Sequence, residues 1–188
     1  MVIVDTCSLV YLSRYYLPFD EDDKLKAFFE QKFRCGELLM LDVILNECKL
    51  QSKGLVVRSM PFWESEKSLI VKTNDLMAPA PRRFSNQLDN NLCVPIARKQ
   101  LSDEAYSIQK QLFLESGDGK IILMALNKIH NAGLLDKVVV LTDESKMSND
   151  GKLFKKLPAI CEFLKIKTIT LIDYLKENNI EIDWVVPE

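Results

Sequence analysis

Carboxylate side chains occur at four separated places in the chain, next to apolar runs or glycines. Asp5 follows a β-branched run, Glu47 lies in an apolar segment, Asp118 lies between two glycines, and Asp143 and Glu144 follow a second β-branched run. Carboxylates that lie close together repel one another unless a cation lies between them. Mg²⁺ and Mn²⁺ favour such oxygen ligands, and a bound ion polarises a phosphodiester and generates hydroxide from water. The residues therefore predict a metal site suited to hydrolysis of a nucleic-acid backbone.

The two runs that precede these acids are expected to be buried strands. Residues 2–4 and 137–142 are apolar on both faces, which is typical of strands inside a parallel sheet. Ligands bind at the carboxyl ends of the strands in such sheets, so Asp5 and Asp143 are expected at one edge. Strands that alternate with helices predict an α/β fold, a three-layer α/β/α sandwich around a central, mostly parallel sheet.

Other strands and the domain organisation follow from the same pattern. Residues 38–41 and 167–171 are expected to form strands, and a further strand is expected at 55–57. Prolines interrupt the periodicity of the middle segment, at about 52–115, so short helices and irregular structure are expected there. The whole chain, 1–188, is expected to form a single domain.

Helix starts are predicted from capping residues and glycines. Ser8 is expected to cap a helix that ends near Tyr16, and Ser102 is expected to cap one that ends at Leu114. A further helix is expected over residues 120–131, after a glycine-rich break. These helices alternate with the strands, as an α/β sandwich requires.

The composition indicates which classes of function are not expected for this chain. No apolar stretch approaches the length that crosses a bilayer, so no membrane association is expected. Five cysteines without a CxxC pair predict reduced thiols in a cytoplasmic protein. The formal net charge of −2 provides no general attraction to nucleic acid, which would require a local basic patch. The only histidine, His130, lies near the end of a predicted helix and is expected to be a surface or cap residue, so neither a histidine-based zinc site nor a Ser-His-Asp triad is expected.

Five segments that contain or follow these acids form a recognisable set by their order and spacing. They are Val2-Ile-Val-Asp-Thr-Cys-Ser-Leu9, Leu41-Asp-Val-Ile-Leu-Asn-Glu-Cys48, Gly117-Asp-Gly-Lys-Ile-Ile-Leu-Met-Ala125, Val139-Val-Leu-Thr-Asp-Glu144, and Lys156-Leu-Pro-Ala-Ile-Cys-Glu-Phe-Leu-Lys-Ile166 followed by Ile169-Thr-Leu171. Together these segments resemble the PIN domain, the fold of many small metal-dependent ribonucleases, including the toxins of bacterial toxin–antitoxin pairs. The resemblance covers about half of the chain, and the last segment is similar to an uncharacterised PIN-like branch.

This resemblance implies a role for each acid. Asp5, Glu47 and Asp118 match the first three acids of the family, of which Asp5 and Asp118 are expected to bind the metal and Glu47 to bind it or orient water. The fourth acid has two candidates. The Thr-x-acid register of the family points to Glu144, whereas a strand-end aspartate would be Asp143, which is slightly preferred as the catalytic residue. Both are expected to reach the metal.

Hydroxyl groups beside these acids are expected to orient them by hydrogen bonding. The three candidates are Thr6, Ser8 and Thr142.

Basic side chains that would contact RNA phosphates fall into two groups. The loop after Asp143 leaves the same sheet edge as the acids, which favours its lysines over an arginine pair in the middle segment. A solvated basic face is the alternative interpretation of both groups. The candidate residues are Lys146, Lys152, Lys155, Lys156, Arg82 and Arg83.

The resemblance implies a Mg²⁺- or Mn²⁺-dependent endoribonuclease, and for the toxins of the family an antitoxin partner and a homodimer. The alternative is a catalytically silent PIN-like module that binds RNA or a partner protein, which the long middle segment favours. A phosphatase with an aspartyl nucleophile ranks last, because Cys7 occupies the place of its second aspartate.

Overall fold

Five parallel strands form the central sheet in the residues that the computed structural model describes, which are 1–131, 137–146 and 151–182. Their spatial order is β3-β2-β1-β4-β5, so β1 has a neighbour on each side. The strands are β1 (Val2–Val4), β2 (Leu38–Leu41), β3 (Ile70–Val71), β4 (Val139–Leu141) and β5 (Lys167–Ile169). The expected parallel α/β sheet is confirmed, and so are the strands predicted near 38–41 and 167–171.

Helices flank the sheet and complete the three-layer α/β/α sandwich. The α-helices of the described residues are α1 (Thr6–Tyr11), α2 (Lys24–Arg34), α3 (Asp42–Leu50), α4 (Leu55–Ser59), α5 (Phe62–Ser65), α6 (Pro81–Gln87), α7 (Pro95–Arg98), α8 (Asp103–Glu115), α9 (Gly117–Asn131), α10 (Leu157–Phe163) and α11 (Leu171–Glu177). Short π-helical or 3₁₀ segments lie at Leu12–Tyr16, Leu17–Phe19, Gln51–Gly54, Lys67–Leu69 and Leu88–Leu92. Within the described ranges, no helix has both the length and the apolar character that a membrane span requires.

The first helix begins earlier than the sequence predicts. Asp5 takes the N-cap position with an extended backbone, and α1 starts at Thr6. Ser8 is therefore inside the helix and does not cap it. Its buried hydroxyl donates instead to Asp143, 2.6 Å away. The prediction of a Ser8 cap is wrong because a contact distant in sequence takes the hydroxyl.

Two other predictions had different outcomes. The prediction of a strand at 55–57 is wrong, because these residues belong to α4. Gly54, which precedes this helix, has a left-handed backbone conformation with φ of 70°. A run of three apolar residues is too short to define a strand or a helix by its period. The cap at Ser102 is confirmed, since its hydroxyl accepts a 3.2 Å hydrogen bond from the amide of Ala105.

The strand order brings the carboxyl ends of β1 and β4 together. The amide of Asp5 donates to the carbonyl of Leu141 at 3.0 Å, so the pairing of the two strands extends to the acid itself. The amide of Thr142 donates to the carbonyl of Ile169 at the same distance. Asp5 and Thr142 thus leave the sheet side by side, above a core in which β1 is buried on both faces.

The middle segment packs over the loop that follows β4. Cys93 and Phe154 form an antiparallel bridge, in which the amide of Val94 donates to Leu153 at 2.8 Å and the amide of Lys155 donates to Leu92 at 2.9 Å. This pairing fixes residues 153–155 beside the end of the sheet. The middle segment therefore contributes to the surroundings of the predicted site.

Candidate active site

Four acidic side chains line one cleft at the carboxyl ends of the strands. Asp5 comes from the end of β1, Glu47 from α3, Asp118 from the first turn of α9, and Glu144 from the loop after β4. The cleft has a volume of about 760 Å³. Ligand sites in proteins are commonly concave pockets of this size, about 300–1,000 Å³. The structure thus brings together acids that are far apart in the sequence.

Asp5 is the most buried of these acids, with 7% of its surface exposed. Its Oδ2 accepts hydrogen bonds from the thiol of Cys7 and from the hydroxyl of Thr142, both at 2.8 Å. Burial raises the pKa of Asp5, and the hydrogen bonds from Cys7 and Thr142 oppose this rise. Thr142 therefore holds one of the acids, as its sequence position predicts.

Glu47 is held through both of its carboxylate oxygens. The hydroxyl of Thr6 donates to Oε2 at 2.6 Å, and the amide of Gly117 donates to Oε1 at 3.1 Å. Because Gly117 is the first residue of α9, its amide has no acceptor within the helix and is available to a carboxylate. The helix dipole also stabilises the negative charge of Glu47 at this end of α9.

Asp118 experiences the combined charge of the cleft. Burial raises the pKa of Asp118 to about 7, with further contributions from the charges of Asp5, Glu144 and Glu47, while Lys152 lowers it. Among the described residues, no amide or side chain donates a hydrogen bond to the Asp118 carboxylate. A partly buried carboxylate without a donor is the group here that would gain most from a cation.

The two adjacent acids after β4 face different surroundings. Asp143 does not line the cleft, because its carboxylate accepts from the hydroxyl of Ser8 at 2.6 Å and from the amide of Leu171 at 3.2 Å. Glu144 lines the cleft. The sequence-based preference for Asp143 as the catalytic acid is not supported by this geometry, and Ser8 orients Asp143 rather than a cleft acid.

Comparison with known proteins identifies the family but no activity. A family model described as a domain of unknown function (DUF4411) matches residues 2–182. The chain belongs to the DUF4411 family. No curated protein and no solved structure matches the chain.

Only part of the predicted basic set of the DUF4411 chain reaches the cleft. Lys152 and Lys155 line it. Lys156 is buried, with its Nζ 3.8 Å from Oε1 of Glu144, and Lys146 forms a 3.3 Å ion pair with Glu162. The arginine pair, Arg82 and Arg83, lies on α6 and does not line the cleft.

The acids of the cleft suit Mg²⁺ or Mn²⁺ by their chemistry, since both ions prefer carboxylate oxygens. Across the residues that the structure describes, however, no three His, Cys, Asp or Glu side chains are already arranged to hold a metal ion. Glu47 is fixed by its two hydrogen bonds, whereas Asp118 has no such restraint. Asp5, Asp118 and Glu144 are the residues of this cleft whose carboxylates could hold an ion.

Cys7 is the contact that sequence reasoning missed. Its thiol donates to Asp5 and lies 3.4 Å from the hydroxyl of Thr142, while the amide of Asp143 donates to its sulfur at 3.3 Å. Burial raises the pKa of Cys7, so the thiol stays protonated and acts as a donor. Its place between Thr6 and Ser8 in the first motif was the available signal, but such spacing does not show which way a thiol points.

Proposed function

We propose that this DUF4411 chain is a Mg²⁺- or Mn²⁺-dependent ribonuclease of the PIN type, which hydrolyses phosphodiester bonds in RNA. The observation that supports the proposal is the convergence of Asp5, Glu47, Asp118 and Glu144 on one cleft. Burial, together with the charges of Asp5, Glu144 and Glu47, raises the pKa of Asp118 to about 7. A carboxyl group in a cleft whose pKa is shifted by burial and by neighbouring charges is a common feature of functional sites.

In this proposal the acids have different tasks. Asp5, Asp118 and Glu144 hold the metal, and Glu47, fixed by Thr6, orients the attacking water. The metal would supply polarisation of the phosphodiester and a water with a lowered pKa. Cys7 and Thr142 keep the Asp5 carboxylate in one orientation through their hydrogen bonds.

Lys152 and Lys155 are the basic residues that would contact the phosphates beside the acids, because both line the cleft. A net charge of −2 makes such a local contact necessary for binding a polyanion. A toxin role, an antitoxin partner, a homodimer and a cytoplasmic location belong to the same proposal and depend on the PIN resemblance.

One observation favours a second candidate function, a catalytically silent module that binds RNA or a partner protein. The carboxylates of Glu47 and Glu144 accept hydrogen bonds from within the protein, from Thr6 and Gly117 and from the amide of Leu157 respectively. Acids that are satisfied internally need no metal to be stable. The two candidates differ in whether the cleft binds a metal ion.

The test measures Mn²⁺ binding and RNA cleavage on the same protein. Asp118→Asn removes a cleft acid, and Asp75→Asn is the matched control, because Asp75 is exposed and does not line the cleft. We expect saturable Mn²⁺ binding by calorimetry and metal-dependent cleavage of labelled RNA for the wild type and Asp75→Asn, and neither for Asp118→Asn. Absence of Mn²⁺ binding to the wild type would favour the silent module, and cleavage that survives Asp118→Asn would overturn the nuclease proposal.

A further inference from the structure

The cleft extends beyond its acids to a wall of different character. This wall is built from α7, the following turn, the end of α8 and the loop after β4. Its apolar lining residues are Ala97, Leu101, Leu112, Phe113, Leu153 and Phe154. Clefts with one charged end and one apolar wall fit ligands that combine a charged and an apolar part.

The apolar wall is preformed by packing within the protein. The rings of Phe113 and Phe154 are stacked, with centroids 4.5 Å apart and planes at 30°. Phe154 is in turn fixed by its bridge to Cys93. A flexible surface loses conformational entropy when a ligand orders it, and this loss weakens binding. A wall that is already fixed avoids this cost.

Polar groups at the edge of the wall indicate what kind of apolar ligand fits. The carboxamides of Gln51, Gln100 and Gln109 line the same cleft as the apolar residues. Carboxamides donate and accept hydrogen bonds at once, which suits the edges of nucleobases. An aliphatic side chain of a peptide offers no hydrogen bond to these groups.

We infer that the apolar wall binds an unpaired nucleobase of the RNA, next to the phosphate that the acids engage. The inference depends on the proposed function and specifies its substrate as single-stranded RNA. Bases inside a duplex are stacked on their neighbours and cannot enter a cleft, whereas unstacked bases are recognised by apolar contact and hydrogen bonds along their edges. Lys152 and Lys155 lie in the same cleft and complement the charge of the connecting backbone.

In this inference the middle segment has a role in binding the RNA. Helices α7 and α8 and the turn between them supply Ala97, Leu101, Leu112 and Phe113 to the wall, while the acids come from other parts of the chain. The segment would determine which RNA is bound without taking part in the chemistry.

Leu112 and Ile108 provide a matched pair for testing this base site. They lie one turn apart on α8 and are exposed to almost the same extent, 59% and 61%, but only Leu112 lines the cleft. Since both side chains are exposed, neither replacement by alanine creates a cavity in the core. Any difference between the two variants reports on the cleft.

The experiment measures binding of a fluorescent eight-nucleotide RNA by anisotropy in the presence of Ca²⁺, with the probe checked for integrity afterwards. We expect Leu112→Ala to bind roughly fivefold more weakly than the wild type, because apolar contact with a base is lost, and Ile108→Ala to bind as the wild type does. A probe of the same length with abasic residues should bind weakly and equally to all three proteins.

A second pair of variants tests the polar edge. Gln109 lines the cleft and Gln111 does not, although both are exposed on α8. We expect Gln109→Ala, but not Gln111→Ala, to change the relative affinities for probes of adenine, uracil, cytosine and guanine. Equal preferences in both variants would remove Gln109 from the base site.

The outcomes separate this inference from the proposed function. Equal binding by Leu112→Ala and Ile108→Ala, or equal binding of the abasic and normal probes, would overturn the base site even if Asp118-dependent cleavage of RNA is observed. Base-dependent binding that responds to Leu112→Ala supports the base site even if no cleavage is detected. Preference for an apolar peptide over the RNA probe would likewise overturn it.

Discussion

The hydroxyl group of Thr6 donates a 2.6 Å hydrogen bond to Oε2 of Glu47 and so connects the first turn of α1 to α3. The other oxygen of the same carboxylate, Oε1, accepts from the amide of Gly117 at the start of α9. Three helices are thus joined by one side chain at the edge of the cleft. Glu47 cannot rotate towards a ligand without losing one of these hydrogen bonds, which suits a residue that orients water better than one that moves to bind a metal.

The first prediction concerns the hydroxyl of Thr6. Thr6→Val keeps the shape of the side chain but leaves Oε2 of Glu47 without its donor. We expect a loss of about 1–3 kcal/mol in the free energy of unfolding and a loss of about tenfold or more in RNA cleavage, because the carboxylate is no longer held. Urea unfolding and initial rates of cleavage measure the two effects.

Thr73→Val is the control for this prediction. The hydroxyl of Thr73 donates to Asp42 at 2.6 Å, the same length, but neither residue lines the cleft. We expect a similar loss of stability with unchanged cleavage. Equal effects of the two variants on the cleavage rate would show that Thr6 acts only through stability.

The second prediction compares two glycines of α9. A Cβ at Gly117 would lie 2.5 Å from Oε1 of Glu47, whereas a Cβ at Gly119 would meet the backbone of Phe113 and Leu114. The carboxylate can move aside, but a backbone cannot. We therefore expect Gly117→Ala to lose cleavage and, like Thr6→Val, about 1–3 kcal/mol of stability, and Gly119→Ala to lose more stability than Gly117→Ala. Thermal unfolding of both variants beside their cleavage rates would show the difference, and normal cleavage by Gly117→Ala would contradict the role given to Glu47.

Local sequence patterns were sufficient where a residue's surroundings are set by its own element. The apolar run of β1 predicted a buried strand that ends at Asp5, because a strand buried on both faces has a distinctive composition. The cap at Ser102 was predictable for the same reason, since the hydroxyl bonds to an amide only three residues away. The parallel sheet follows from the alternation of such elements.

The individual side-chain contacts between distant segments were not predictable. Asp143 and Glu144 are neighbours in the sequence, and only the positions of Ser8 and of the start of α11 decide that Asp143 turns away from the cleft. The bridge between Cys93 and Phe154 has no local signature either. The sequence therefore did not predict the apolar wall that this bridge supports.

The third prediction separates the two acids after β4. Glu144→Gln is expected to weaken Mn²⁺ binding about tenfold or more, because Glu144 lines the cleft. Asp143→Asn is expected to leave Mn²⁺ affinity nearly unchanged and to lower stability by about 1–3 kcal/mol, since it weakens the hydrogen bonds from Ser8 and Leu171. Calorimetric Mn²⁺ titration and urea unfolding distinguish them. Weaker Mn²⁺ binding by Asp143→Asn, with unchanged binding by Glu144→Gln, would assign the metal site to Asp143.

The fourth prediction concerns the charge of Asp118 in metal-free protein. Burial and the neighbouring acids raise its pKa from an ordinary value of 3.8 to about 7 in the folded chain. Between about pH 4 and pH 7 the folded state therefore holds a proton that the unfolded state has released, and stability falls as the pH rises through this range. Asp118→Asn removes the titration. The variant should match the wild type near pH 4 and exceed its stability at pH 8, by on the order of 4 kcal/mol, since the pKa shift of about 3 units corresponds to about 1.4 kcal/mol per unit.

Urea unfolding at several pH values, in EDTA and then in Mn²⁺, measures this difference. With EDTA the wild type should lose stability between pH 4 and pH 7, and Asp118→Asn should lose less. With Mn²⁺ the order at pH 8 should reverse, because an ion that binds only the folded wild type stabilises it by mass action and has no comparable site in the variant. Parallel curves in EDTA would mean that the carboxylate of Asp118 is better solvated than its position in the cleft implies. A stabilisation by Mn²⁺ that is equal in both proteins would place the ion away from Asp118 and remove this acid from the proposed metal site.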